Sequence, residues 1–191
     1  RYRIRGNGVR SYVPDLSAAG LPRHAWAMEN VRATERGVAP LAAGRPGSVV
    51  FRVEGANVIT SLGIGAGLLR KGEADQATIA VSVNNGLTWT NVYAAAGPGG
   101  PVAADVKLIP EVNGAYEVLV RVTLLGRDAP ADAALQSIRF EAITQLNSKT
   151  QPRLRLGANT VHVGTGAPLQ SVVLWPDLRG DAWRPLAAEA R

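Results

Sequence analysis

Cysteine is absent from this 191-residue chain. Its absence removes a disulfide scaffold, a zinc–thiolate site and thiol catalysis together. It does not exclude export, because exported proteins of ordinary size fold without disulfides. Histidine is nearly absent as well: His24 and His162 stand far apart in sequence, without a metal-ligand spacing, which excludes a histidine-rich metal site. An all-oxygen calcium site stays open, but no EF-hand spacing or close acidic cluster supports one at Asp75, Asp105 or Asp128. No cofactor is therefore expected. No apolar run approaches the roughly 20 residues that a membrane-crossing helix needs. There is no signal-peptide pattern, and the chain opens on Arg1; the expectation is a processed or excised part of a longer protein.

Lysine is the next scarcity. Of 21 basic residues only Lys71, Lys107 and Lys149 are lysines, set against 15 acidic residues for a formal charge of +6. Part of this alanine and arginine bias is discounted as genome composition. The rest favours anionic partners such as acidic polysaccharide, phosphate or nucleic acid. The charge is spread along the chain, apart from "RYRIR" (Arg1 to Arg5) and "RLR" (Arg153 to Arg155). Nucleic-acid binding needs a more concentrated patch, so no nucleic-acid partner is expected.

What the chain does contain is short apolar segments divided by Gly, Pro, Asn and Asp. "SVVFRVEG" (Ser48 to Gly55) sets Val49, Phe51 and Val53 against Val50, Arg52 and Glu54, the period of a half-buried strand. "NVITSLGIGAG" reads as a strand that decays into glycines. "ATIAVSV" and "TWTNVYA" flank a turn, and "DVKLIPEV", "YEVLVRVTLLG", "LQSIRFEAITQL", "NTVHVG" and "SVVLWPD" complete eight or nine strands. Strands of this length, spaced by turn signals, predict an all-β fold: an antiparallel two-sheet sandwich, jelly-roll-like. Gly63, Gly65 and Gly67 are not a dinucleotide fingerprint, because Leu68 stands where a third glycine belongs and no helix follows. They read as a bulge or loop.

The ends differ in composition. Residues 1–47 are rich in Pro, Gly and Ala and are expected to form an irregular N-terminal segment, with a strand or two, packed on the sandwich. The sandwich core is placed at 48–176 and a C-terminal tail at 177–191. Leu186 to Ala190 are good helix formers and suggest a short helix there. No internal repeat indicates a solenoid or propeller.

One turn carries a recognisable motif. Ser82-Val83-Asn84-Asn85-Gly86-Leu87-Thr88-Trp89 fits S-x-D-x-G-x-T-W with Asn84 in the Asp place. Gly86 supplies the positive φ of a tight turn. Ser82, Asn84 and Thr88 can bond turn amides, and Trp89 is expected to bury its ring in the core against the sheet. The stretch resembles a degenerate Asp-box hairpin of sialidases and related propellers, where the box lies away from the catalytic pocket. The resemblance therefore implies a structural device. Taken with "VVFRVEGANVIT" before it and Gln151 to Val161, written "QPRLRLGANTV", the region resembles ancillary β-sandwich modules, galactose-binding-like or jelly-roll, of secreted bacterial polysaccharide-active and sialidase-like proteins. The resemblance covers about residues 48 to 175 and identifies no ligand residue.

Candidate site residues follow from chemistry. Glycan hydrolysis needs two positioned carboxylates, and the acids here are scattered beside turns. No serine has a G-x-S-x-G neighbourhood, and His24 and His162 read as ordinary surface or sheet residues. No catalytic centre is expected within the chain. Sugar rings stack on Trp and bond Arg through their hydroxyl or acidic groups. With Trp89 assigned to the core, the binding candidates are Trp26, Trp175, Trp183, Arg179 and Arg184. Arg179-Gly180-Asp181 spells an integrin-ligand tripeptide and reads as a turn.

The expectation is a non-catalytic carbohydrate-binding or ancillary module of a larger exported protein, secreted, periplasmic or at the cell surface. Its partners would be a polysaccharide, in particular an acidic one, and neighbouring domains of the parent chain. The alternative is a structural or assembly module that packs against a partner without binding glycan.

Overall fold

The computed structural model describes residues 7–55, 57–145, 170–176 and 183–189. They form two antiparallel sheets with almost no helix. One sheet has five strands in the order β2 (Ala25–Glu29), β5 (Gly47–Glu54), β10 (Glu117–Leu125), β7 (Gln76–Ser82) and β8 (Thr90–Ala94). The other has eight and is built around β11 (Ala133–Gln145). Along one edge β11 pairs with β6 (Ile59–Arg70), which carries β9 (Gly100–Leu108). Its other edge is shared by β1 (Asn7–Tyr12) and β4 (Gly37–Pro40). β1 continues to β12 (Gln170–Pro176) and β13 (Trp183–Glu189), and β4 to β3 (Val31–Thr34). Among the described residues the only helical pieces are α1 (Leu21–His24) and a 3-10 turn at Pro130–Asp132. Among the described residues no helix is long and apolar enough to cross a membrane.

Strand parity makes the core. Val49, Phe51 and Val53 of β5 join Val118, Val120, Val122 and Leu124 of β10 and Ile79 and Val81 of β7. From the other sheet come Leu62, Ile64 and Leu68 of β6, with Leu135, Ile138 and Phe140 of β11. Two rings meet across the layers: Phe51 and Phe140, the only phenylalanines in the chain, have centroids 5.8 Å apart and planes tilted by 52°. Tyr12 stacks on Phe140 at 5.8 Å and on His24 at 5.9 Å. Its hydroxyl lies 3.2 Å from His24 Nδ1 and donates to the His24 carbonyl at 3.3 Å. This ladder of rings ties β1 and α1 to the core.

Four features depart from the sequence reading. The stretch up to residue 47, expected to be irregular with a strand or two, contributes the four short strands β1 to β4. These strands are four to six residues long, too short for a visible period, and β1 and β4 pair with β11, far along the chain. At the other end, Leu186 to Glu189 are not helical but belong to β13, where Leu186 pairs with Val173. A single helical turn is unstable alone, whereas the edge of β12 offers ready hydrogen bonds. Gly63, Gly65 and Gly67 are neither bulge nor loop. They alternate along the middle of β6 opposite Glu141, Arg139 and Ser137, with Leu62, Ile64, Ala66 and Leu68 facing the core. A Cβ on Gly65 would fall 2.5 Å from Arg139 Nε, so the missing side chain makes room for that arginine to lie across the strand. β9, finally, ends at Leu108, and the "IPEV" expected to extend it is a turn that bonds back on Ile109.

Two outcomes follow. Phe51→Ala leaves a void between the sheets and should lower unfolding free energy by about 3–5 kcal/mol, read from urea denaturation. Burial holds the Tyr12 hydroxyl above its ordinary value, with Arg10 pulling partly the other way. The folded state thus favours the neutral phenol. Its contribution is complete below the unfolded value of about 10 and is lost as pH rises through the raised folded value. Melting temperature should fall on crossing that window, and Tyr12→Phe should flatten the fall.

Candidate carbohydrate-binding face

With the odd-numbered residues of β5 and the even-numbered residues of β10 in the core, the opposite parity lines the outside of the five-stranded sheet. Arg52 of β5 stands beside Leu119 of β10, which stands beside Ser82 of β7. One step along the sheet, the row runs Ala27, Val50, Arg121, Ala80 and Asn91, crossing all five strands. Trp26 enters this face through an irregularity in β2, where pairing with β5 shifts between Ala25 and Ala27. An extra residue of this kind re-aims a side chain. Trp26 is 51% exposed, and its ring lies 4.4 Å from the guanidinium carbon of Arg52.

The β7–β8 hairpin supplies the second indole. Asn85 and Gly86 both take positive φ, 58° and 84°. Ser82 Oγ accepts from the Gly86 amide at 2.9 Å and donates to Asn84 Oδ1 at 2.9 Å. Asn84 Oδ1 also accepts from the Thr88 amide at 2.9 Å, and Asn84 Nδ2 donates to Thr88 Oγ1 at 2.8 Å. The amide of Asn84 thus accepts and donates within the turn, work that a carboxylate in its place would share only as acceptor. The hairpin closes on Val81 paired with Thr90, and since Val81 is core, Trp89 takes the opposite face. There it packs over Gly86 and Leu119, half-buried, with the guanidinium carbon of Arg121 4.2 Å from its ring centroid. The expectation that Trp89 is a core residue is therefore corrected: it belongs to the outer layer.

The result is a lane with an indole on either side and two arginines between. Four inter-strand steps separate its margins, roughly 19 Å. The two cations are differently placed. Arg52 pairs with Glu54 at 2.7 Å. Glu54 stands opposite Glu117, a like-charge arrangement that costs stability and that Arg52 offsets. Arg121 has no ion-pair partner among the described residues, and its Nε is buried without a hydrogen bond.

Of the binding candidates from sequence that fall within the described residues, Trp26 alone lies on this face. Trp175 and Trp183 are on β12 and β13 of the other sheet, where Trp175 pairs with Arg184 and Pro176 with Trp183. Arg179 and the tripeptide it begins lie outside the described residues, as do His162, the basic runs Arg1 to Arg5 and Arg153 to Arg155, "NTVHVG" and Gln151 to Val161. His24 is the half-buried partner of Tyr12. The calcium candidates do not converge: Asp75 accepts backbone N–H bonds from Gly72 and Arg127 at 2.8 and 2.7 Å, while Asp105 and Asp128 are exposed elsewhere. No group of three metal-ligating side chains occurs among the described residues. Arg52, Arg121 and Trp89 were missed as site residues. For the arginines the signal was in the alternation: "VVFRVE" places Arg52 between Phe51 and Val53, and "VLVRVT" places Arg121 between Val120 and Val122, each at an outward position.

No sequence model of a known protein family matches the chain, and no curated protein matches it. Among solved structures, similar chains are β-sandwich carbohydrate-binding modules or contain one. A GH26-CBM35 β-(1,4)-mannanase of Podospora anserina aligns over 80% of this chain at 12% identity and a TM-score of 0.39. This chain spans only 30% of the mannanase's length. A xylan-binding module CBM15 aligns over 71% of this chain and 90% of its own, at 12% identity and a TM-score of 0.39. A family 29 carbohydrate-binding module aligns over 76% and 99%, at 14% identity and a TM-score of 0.38. At these identities and TM-scores, no site residue is carried over from any of them.

Proposed function

We propose that this chain is a carbohydrate-binding module that takes a polysaccharide across the outer face of its five-stranded sheet, within a larger exported protein. The observation that carries the reading is the pair of indoles, Trp26 and Trp89, each set against an arginine on that face. A pyranose ring presents C–H groups that an indole face accepts, and hydroxyls around its rim. Arg52, Glu54, Glu117 and Asn91 are outward-facing groups suited to donate to or accept from those hydroxyls. A span of several inter-strand steps suits a chain of sugars better than a single ring. The positive balance of the protein favours an acidic polymer at long range.

The test is retention of the protein on a panel of immobilised neutral and acidic polysaccharides, run at low salt. Trp26→Ala and Trp89→Ala should each weaken retention about tenfold with folding intact by circular dichroism. Trp175→Ala, on the other sheet, should leave it unchanged. Sensitivity to Trp175 and indifference to Trp26 and Trp89 would move the site to β12 and β13. Retention on no polymer would turn the assignment to a module that packs against a partner protein.

A further inference from the structure

We propose that Arg121, backed by Trp89, is an anion subsite that takes the carboxylate of a uronic acid residue and makes this face selective for uronate-bearing polysaccharide. The inference rests on the polysaccharide reading above and adds which chemical group is recognised, and where.

The embedded arginines of the protein find their partners in different ways. Arg10 donates from Nη1 to the Glu54 carbonyl. Arg70, almost fully buried, donates to the carbonyls of Asp75 and Gly97 at 3.3 and 3.0 Å. Arg52 has Glu54. Arg121 has no oxygen partner among the described residues, where the ion pairs are Arg52–Glu54 and Lys71–Asp132. Its cross-strand neighbours on the outer face are Val50 and Ala80, both apolar. The nearest acid on its own strand, Glu117, lies four residues away, about 13 Å along β10, and faces Glu54.

A partly desolvated cation without a counter-charge is costly, and an unpaired buried donor calls for a physical reason. Stacking on Trp89 offsets part of that cost and fixes the plane of the guanidinium. Nε is enclosed and unpartnered, as it is in Arg10 and Arg70. What sets Arg121 apart from those two is that, among the described residues, its Nη1 and Nη2 have no oxygen partner either, and these are what a ligand meets. Two parallel N–H donors in a rigid plane match the two oxygens of a carboxylate, and such charge-assisted pairs are about twice as strong as neutral ones. The position is central: β10 is the middle strand of the five, between the two indoles. A uronosyl ring seated on Trp89 would turn its carboxylate toward this fork, while adjoining sugars run on toward Arg52 and Trp26.

The experiment measures binding to polygalacturonate, to its carboxyl-reduced neutral counterpart and to dextran sulfate, at low and moderate salt. The wild type is compared with Arg121→Gln, with Arg121→Met, an uncharged chain of comparable reach, and with Arg36→Gln, an equal charge change in the exposed β3–β4 turn. The expected result is preference for polygalacturonate over the reduced polymer. Arg121→Gln and Arg121→Met should lose about 10- to 100-fold on polygalacturonate alone, with Arg36→Gln within about twofold of wild type. Equal losses from Arg36→Gln would overturn the subsite and leave general charge attraction. Arg121-dependent preference for dextran sulfate over polygalacturonate would overturn the carboxylate assignment. Binding of the neutral polymer as tightly as polygalacturonate, abolished by Trp26→Ala and spared by Arg121→Gln on both polymers, would overturn this inference while the polysaccharide reading stands. Binding to none of the polymers would overturn both.

Discussion

The two sheets are held face to face across one core, and the contact of Phe51 with Phe140 is at its centre. Once Phe51 points inward, every second residue of β5 is committed with it, and β10 and β7 follow through their register. Slipping any of these strands by one residue would exchange the valines of the core for Arg52, Arg121 and Ser82. The packing of two phenylalanines therefore also decides which residues stand outside. The polar and aromatic lane is the reverse side of the same alternation.

That reverse side is assembled differently from the core. Its large groups are indoles and guanidiniums stacked on one another, over a floor of Val50, Ala80, Leu119 and Ser82 that is itself buried. Guanidinium is weakly hydrated and planar, so it can cover apolar surface while its edge stays polar. Trp89 reaches this layer because the hairpin before it is stiff. Asn84 and Ser82 bind its amides and hydroxyls from both sides, and the left-handed Asn85 and Gly86 turn the chain within a few residues. A turn of structural character thereby sets an indole on the outer face of the sheet.

The same residue type serves other ends elsewhere in the fold. Arg70 gathers loop carbonyls at Asp75 and Gly97, and Asp75 in turn accepts amides from Gly72 and Arg127. Arg10 joins the sheets by reaching from β1 to a carbonyl at the end of β5. Arg10 and Arg70 thus each donate to the backbone from a terminal nitrogen, whereas Arg121, set in the same kind of alternating sequence, has no oxygen partner among the described residues.

The sequence by itself determined the all-β class, the strands around Phe51, Val120 and Phe140, and the β7–β8 turn, because period-2 alternation and Asn-Gly turn chemistry are local properties. It also made Trp26 a candidate, through the chemistry of the side chain alone. Only the tertiary structure decided that β1 to β4 are strands, that β13 replaces a helix and that the β6 glycines are mid-strand. β1 and the β6 glycines depend on pairing with β11, far along the chain, and β13 on the edge that β12 offers. The face itself was decided in the same way. Trp26, Arg52, Arg121 and Trp89 come from β2, β5, β10 and the β7–β8 hairpin, and it is pairing register, a non-local quantity, that sets them in one lane and leaves Trp175 and Trp183 in the opposite sheet.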